Sequence, residues 1–182
     1  MSQPPPGRRV SVRGTTGSGK STLGRALAAK LGVPYVEMDA FAHLPGWQAR
    51  PTDEFRALVA ESIAGESWVI DGNYNAARDI VHSRADTYVW LDYPFPTVFG
   101  RLLRRTLHRC VTGQVVCNGN RETLRKTFFD RESILWWCVK THARRHRDCA
   151  AFMSDPVNAD KILIHFKHPS EADRWLADLP TT

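Results

Sequence analysis

GTTGSGKS, residues Gly14 to Ser21, is the stretch whose reading decides the fold. It has the spacing G-x-x-x-x-G-K-[ST], and each position has a physical task. The glycines let successive backbone N–H groups turn inward around an anion. A helix opening near Gly19 adds the positive end of its dipole. Lys20 can then reach the outer phosphates of a nucleotide, and the Ser21 hydroxyl can ligate Mg²⁺. The expected nucleotide-binding residues are therefore Gly14, Thr15, Thr16, Gly17, Ser18, Gly19, Lys20, Ser21 and Thr22. Without a nucleotide, Lys20 is expected to face solvent. The competing reading, a chance Gly-rich turn, loses ground to context. The β-branched run Val10 to Val12 precedes the motif, and a helical pattern of Leu23, Leu27, Ala28 and Leu31 follows it, stopped by Gly32.

The same alternation continues along the chain. VPYVEMD reads as a second strand ending at Asp39, and PTDEFRALVAESIAG as a helix capped by Thr52 or Asp53. SWVIDG gives a third strand ending at Asp71, and ADTYVWLDYP a fourth ending near Asp92. Helices over FPTVFGRLLRRTLHR and FDRESILWWCVKTHARRHR, a fifth strand DKILIHF and a closing helix SEADRWLADL complete the pattern. Apolar strands alternating with helices predict an α/β three-layer sandwich: a five-stranded parallel sheet flanked by helices, in one domain spanning residues 1–182. Residues 1–8, rich in proline, are expected to be a flexible tail.

Ligands of such sheets sit beyond the carboxyl ends of the strands, so the residues there are the candidates for chemistry. Asp39 can orient or deprotonate an acceptor hydroxyl, and Asp71 can hold Mg²⁺ or contact the acceptor. The competing reading makes either aspartate a turn or cap residue. Arg101 and Arg105 lie four apart on one helix face, where a guanidinium pair can grip phosphates or simply be solvated. Trp47, in the turn-marked LPGWQARP, can stack on a substrate ring. His108, His142 and His146 have no metal-ligand spacing and read as surface residues.

Composition narrows the class. The hydrophobic fraction is 42%, and no run is long enough to span a bilayer. The start of the chain lacks the apolar segment of a secretion signal, so a cytoplasmic protein with reduced thiols is expected. Net charge is +6, unevenly spread: Arg101 to Arg147 holds 12 Lys and Arg against 3 Asp and Glu. A basic segment attracts nucleotides and nucleic acids alike.

GTTGSGKST, MDAFAHLPGW, WVIDGNY and LDYPFPTVFGRLLRR together make the chain resemble the nucleoside-monophosphate-kinase-like branch of P-loop proteins. More narrowly, it resembles small bacterial proteins labelled adenylate-kinase-related or DNA topology modulation proteins. The resemblance implies an ATP-dependent phosphotransferase using ATP and Mg²⁺, with a small-molecule or nucleotide acceptor. Its other implication is a nucleotide-regulated nucleic-acid-binding protein. It implies Arg101 near the adenine and Arg105 near the phosphates. Residues 109–147 would form a short helical lid and basic helix, with Arg121, Arg125 and Arg131 closing on the phosphates. Lys20, Arg105, Arg121 and Asp39 are then the catalytic candidates, Ser21 and Asp71 the metal pair. Asp39, Trp47, Asp71, Asn73 and Arg78 are the acceptor-side candidates. Asn75 stands where adenylate kinases carry an arginine, and Arg78 is the nearby alternative. GVPYVEMDA is more similar to shikimate- and gluconate-type kinases, in which an aspartate there meets the acceptor hydroxyl.

Overall fold

Val10 and Val12 are fully buried on one side of the first strand, whereas Ser11 and Arg13 face the other. That two-residue period generates two cores, one on each face of a sheet. The structure is a computed structural model and describes residues 3–116, 118–122 and 133–180. Five parallel strands form the sheet: β1 (Arg9–Gly14), β2 (Tyr35–Glu37), β3 (Trp68–Asp71), β4 (Thr87–Leu91) and, late in the chain, β7 (Ile162–Phe166). Their order is β2-β3-β1-β4-β7, so β1 is central and its end delivers Gly14 to the middle of the rim.

Helix α1 (Lys20–Leu31) buries Leu23 and Leu27 on the Val10 face, together with Val98 and Leu102 of α5 (Phe95–Thr112). The last helix, α7 (Pro169–Asp178), closes that face with Trp175. The other face carries α3 (Thr52–Ser62) and α4 (Arg78–Arg84), which pack Phe55, Val59 and Val81 on Trp68, Ile70 and Tyr88. Helix α6 (Ile134–Ser154) crosses between them: Leu135 and Cys138 belong to the first core, Phe152 to the second. A small antiparallel pair, β5 (Val115–Val116) and β6 (Asn120–Arg121), follows α5.

The five-stranded parallel sheet and its flanking helices agree with the expected fold class. Four local expectations change. Strand β2 stops at Glu37, and Asp39 lies in a short helix, α2 (Met38–Ala42). Neither Thr52 nor Asp53 caps α3, since Pro51 occupies the cap position and no side chain bonds there. Helix α4 is an element the apolar pattern did not reveal, because only Val81 in it is buried. The lead-in at residues 3–8 is tied to the domain rather than flexible. Pro4 carbonyl accepts from Trp175 Nε1 at 3.0 Å, Gln3 Nε2 donates to His165 carbonyl at 3.0 Å, and Gly7 N donates to Thr87 Oγ1 at 2.8 Å.

Candidate active site

The site begins where β1 ends. Gly14, Gly17 and Gly19 all have positive φ. At Gly17 the restriction is also one of space, because a Cβ would come within 2.7 Å of Val98 carbonyl and 2.9 Å of Leu102 Cβ. Helix α5 thus presses against the loop and fixes its curl. Ser18 N donates to Thr15 carbonyl at 3.0 Å, closing the turn, and Gly19 in the left-handed region starts α1. Ser18 is 1% exposed, and its Oγ has no partner. An orphaned hydroxyl inside a ring of inward amides is what a phosphate group would satisfy. The loop therefore fits a nucleotide's phosphates.

Lys20 departs from the solvent-facing expectation. It is half-buried, and its Nζ donates to Thr15 carbonyl at 3.3 Å. Burial pushes its pKa down, Asp39 and Asp71 pull it back up, and Arg145 and Arg105 push it down further. Five groups from five segments are thus near enough to act on one another. Ser21 Oγ donates to Asp71 Oδ2 at 2.6 Å. Asp71 is 3% exposed, and burial raises its carboxyl pKa against the opposing pull of Ser21 and Lys20. A hydroxyl and a buried carboxylate side by side form an oxygen donor set that fits Mg²⁺.

Helix α5 turns Val98, Leu102 and Thr106 inward. Arg101 and Arg105, three residues after Val98 and Leu102, flank that stripe. Arg101 Nη1 lies 3.5 Å from Ser18 carbonyl, and its guanidinium sits 5.7 Å from the Tyr93 ring centre. Arg101 therefore borders the loop, and Arg105 is near enough to act on Lys20. Thr16 carbonyl is met from another side by Cys138 Sγ of α6 at 3.8 Å. Thr22 is exposed in the first turn of α1.

Beside the loop, on the Ser11 face, lies a cleft of about 510 Å³ counting its open mouth. Asn73 joins the two, lining the cleft while its Nδ2 donates to Gly14 carbonyl at 2.5 Å. Tyr74 also lines it, and its hydroxyl holds Asp39 Oδ1 at 2.7 Å. Arg78 reaches the cleft from the start of α4. Three residues that the sequence reading passed over complete it: Arg13 of β1, and Arg145 and Cys149 of α6.

Other candidates lie elsewhere. Trp47 does not line the cleft. It is half-buried with φ 63°, edge-on to His43 at 5.6 Å, and Asn120 Oδ1 accepts from its amide at 2.9 Å. Asp92 is engaged by His146 Nδ1 at 2.6 Å and His165 Nε2 at 2.9 Å, so His146 is a tethering residue and not merely a surface one. The side chain of Arg121, and Arg125 and Arg131 entirely, lie outside the described residues.

Known proteins supply the remaining comparison. The model of the Shikimate kinase family matches residues 16–44, from the loop through Asp39 to Leu44. A protein of Thermococcus onnurineus (strain NA1), provisionally named an adenylate kinase, is 34% identical over 71 residues. That match spans 35% of this chain and 39% of the relative's length. Two solved structures share the fold. One is a sugar kinase from Janibacter sp. HTCC2649, with TM-score 0.51, 21% identity, and 96% of this chain and 97% of that one covered. The other is a shikimate kinase from Bacteroides thetaiotaomicron, with TM-score 0.55, 15% identity, and 93% and 94% covered. With its phosphate loop at the end of the central strand of a five-stranded parallel sheet, the chain has the fold that these two kinases share.

Proposed function

We propose that this protein is an ATP-dependent phosphotransferase that passes the γ-phosphate to a hydroxyl group of a small molecule seated in the cleft. The observation that carries the reading is the Asn73 bridge, one side chain that lines the cleft and bonds the loop at Gly14. Donor and acceptor would meet across it without water between them.

Each part of the site takes a role in this reading. Amides of Gly17 to Lys20 and the Ser18 hydroxyl hold the phosphates. Lys20, already desolvated, supplies a positive charge where negative charge spreads in transfer. Arg105 adds to that charge, and Arg101 lies toward the base side of the loop. Mg²⁺, held through Ser21 and Asp71, supplies charge neutralisation on the phosphate oxygens when bound. Asp39, positioned by Tyr74, accepts or orients the acceptor hydroxyl. Arg105 and Arg145, drawn from the basic segment, point their charge at Lys20. This use of the segment favours nucleotide chemistry over a nucleic-acid arm.

An acceptor screen with MgATP over hydroxy acids, sugars, nucleosides and nucleoside monophosphates tests the reading. Phosphorylated product from the parent, and its loss by at least 100-fold in Asp39→Asn with ATP affinity unchanged, is expected. An Asp39→Asn enzyme as fast as the parent on its best acceptor removes Asp39 from the chemistry.

A further inference from the structure

The chain carries four tyrosines. Tyr88 and Tyr93 are buried, at 1% and 4% exposure, and the Tyr35 hydroxyl is buried as well. Tyr74 differs. It is half-buried, it lines the cleft, and its hydroxyl donates to Asp39 Oδ1 at 2.7 Å. Ser11 also puts a hydroxyl in the cleft wall, but Ser11 is 1% exposed. A phenol proton held on a carboxylate at this distance has the geometry of an acid facing its base. Asp39 is the group that the phosphotransferase reading assigns to the acceptor's hydroxyl. Tyr74 therefore already presents to Asp39 what an acceptor must present.

The neighbours of Tyr74 fix that placement. Gly72 has φ 135°, and a Cβ there would lie 2.9 Å from Met38 Cβ, so the chain leaving β3 runs hard against the residue before Asp39. Asn73 bonds Gly14 carbonyl, which ties the next residue to the phosphate loop. The Tyr74 ring rests on Phe55, with ring centres 5.1 Å apart. Its hydroxyl end is thus set between the loop and α2. The charges nearby suit phosphate transfer. Lys20 feels both Asp39 and Arg145. Burial lowers the Arg145 pKa, and Tyr74 is among the groups that pull it back. Tyr74 therefore belongs to the set of side chains gathered round Lys20.

Resting on the phosphotransferase reading, we propose that the protein phosphorylates its own Tyr74 from MgATP when no acceptor fills the cleft. The Tyr74 hydroxyl oxygen attacks the γ-phosphorus and forms the new P–O bond. The bond from the γ-phosphorus to the oxygen it shares with the β-phosphate breaks, and ADP leaves with that electron pair. The phenol proton passes to Asp39 and from there to water. The products are one phosphotyrosine and one ADP per chain. The new phosphate stands in the cleft wall, so the modification closes the enzyme to its acceptor.

Two measurements separate this from the donor reading. The first is a calorimetric titration with a non-hydrolysable MgATP analogue, which reports on nucleotide binding alone. In the second, protein stripped with a tyrosine phosphatase and freed of it is incubated with MgATP radiolabelled at the γ-phosphate, without any acceptor. The protein-bound label is counted, and its position is mapped by tandem mass spectrometry. Label is expected on Tyr74, approaching one phosphate per chain. Its rate per chain should not change on tenfold dilution of the protein, as transfer within one molecule requires. Tyr74→Phe, with the circular dichroism of the parent, is expected to take up no label, and Asp39→Asn to label at least tenfold more slowly. Should Tyr74→Phe fail to fold, the mapped position in the parent decides. Analogue binding without label on Tyr74 overturns the proposal and leaves the donor reading standing. So does label on another residue, a rate per chain that rises with protein concentration, or parent-like labelling of Asp39→Asn. Failure of the analogue to bind sinks the donor reading, and the proposal with it.

Discussion

Lys20 and Asp71 show at the residue scale how the site trades stability for chemistry. Lys20 spends its charge in a desolvated place, opposed by Arg145 and Arg105. Lys20→Met removes that charge from the phosphate site while keeping much of the side chain's volume. Turnover is expected to fall by about 10³-fold or more, the scale of losing several kcal/mol of transition-state support. Far-ultraviolet circular dichroism should not change, and near-parental turnover would exclude the lysine from the chemistry. Asp71 is the complementary case. Burial raises its pKa above the ordinary 3.8, so between that value and the raised one the native state binds the proton more tightly than the unfolded chain. Stability contributed by this group is therefore highest at low pH, falls as pH climbs through that window, and stays low above it. Asp71→Asn should erase this loss: its melting temperature relative to the parent should rise from pH 4 to pH 7. Its Mg²⁺ affinity in the presence of nucleotide should drop about 10- to 100-fold. A variant that melts below the parent at pH 7 would show that the carboxylate stabilises the fold instead.

Among the elements, the β5–β6 hairpin has an unexpected docking partner. Asn118 Nδ2 donates to the carbonyls of Ala40 at 2.8 Å and His43 at 2.5 Å, and Asn120 bonds Leu44 carbonyl and Trp47 amide. The segment expected to form a lid over phosphates thus clasps the loop that follows Asp39. Asn120 is 4% exposed, so Asn120→Ala should cost about 1–3 kcal/mol. Amide hydrogen exchange should quicken at residues 43–49 and 118–121, and KM for the acceptor should rise more than KM for ATP. Unchanged exchange in the 43–49 loop would break the link. None of this was legible in the sequence, because Asn118 and Asn120 act through partners more than 70 residues away. The phosphate loop was legible, since its spacing is local and its glycines answer to backbone geometry. Arg13 left a fainter trace. Ser11 and Arg13 alternate with Val10 and Val12 in a strand expected to be apolar on both sides, and that break in pattern marked a polar cleft. Arg145 left none, because only the path of α6 across the sheet brings it to the site.

For the whole molecule, that path has a consequence. Cys138 meets the phosphate loop at Thr16, and Arg145 and Cys149 meet the cleft, all on one continuous helix. Seven residues separate Cys138 from Arg145, about 10 Å along a rigid rod. His146, bonded to Asp92 at 2.6 Å, pins the rod to the end of β4. Two ligands that lean on one stiff body do not bind independently. If the nucleotide seats α6 in the position that an acceptor in the cleft prefers, each lowers the other's dissociation constant. Thermodynamics requires the two factors to be equal, whichever ligand arrives first. A coupling of about 1–3 kcal/mol, roughly 5- to 150-fold, is the usual size of such effects. Measuring the affinity of a non-hydrolysable MgATP analogue with and without saturating acceptor, and the acceptor's with and without that analogue, closes the cycle. His146→Ala, which unpins the helix without touching either ligand's contacts, should shrink the coupling while leaving each separate affinity near the parent's. A coupling of unity in the parent would mean that α6 is a passive wall and that the two halves of the site fill as strangers.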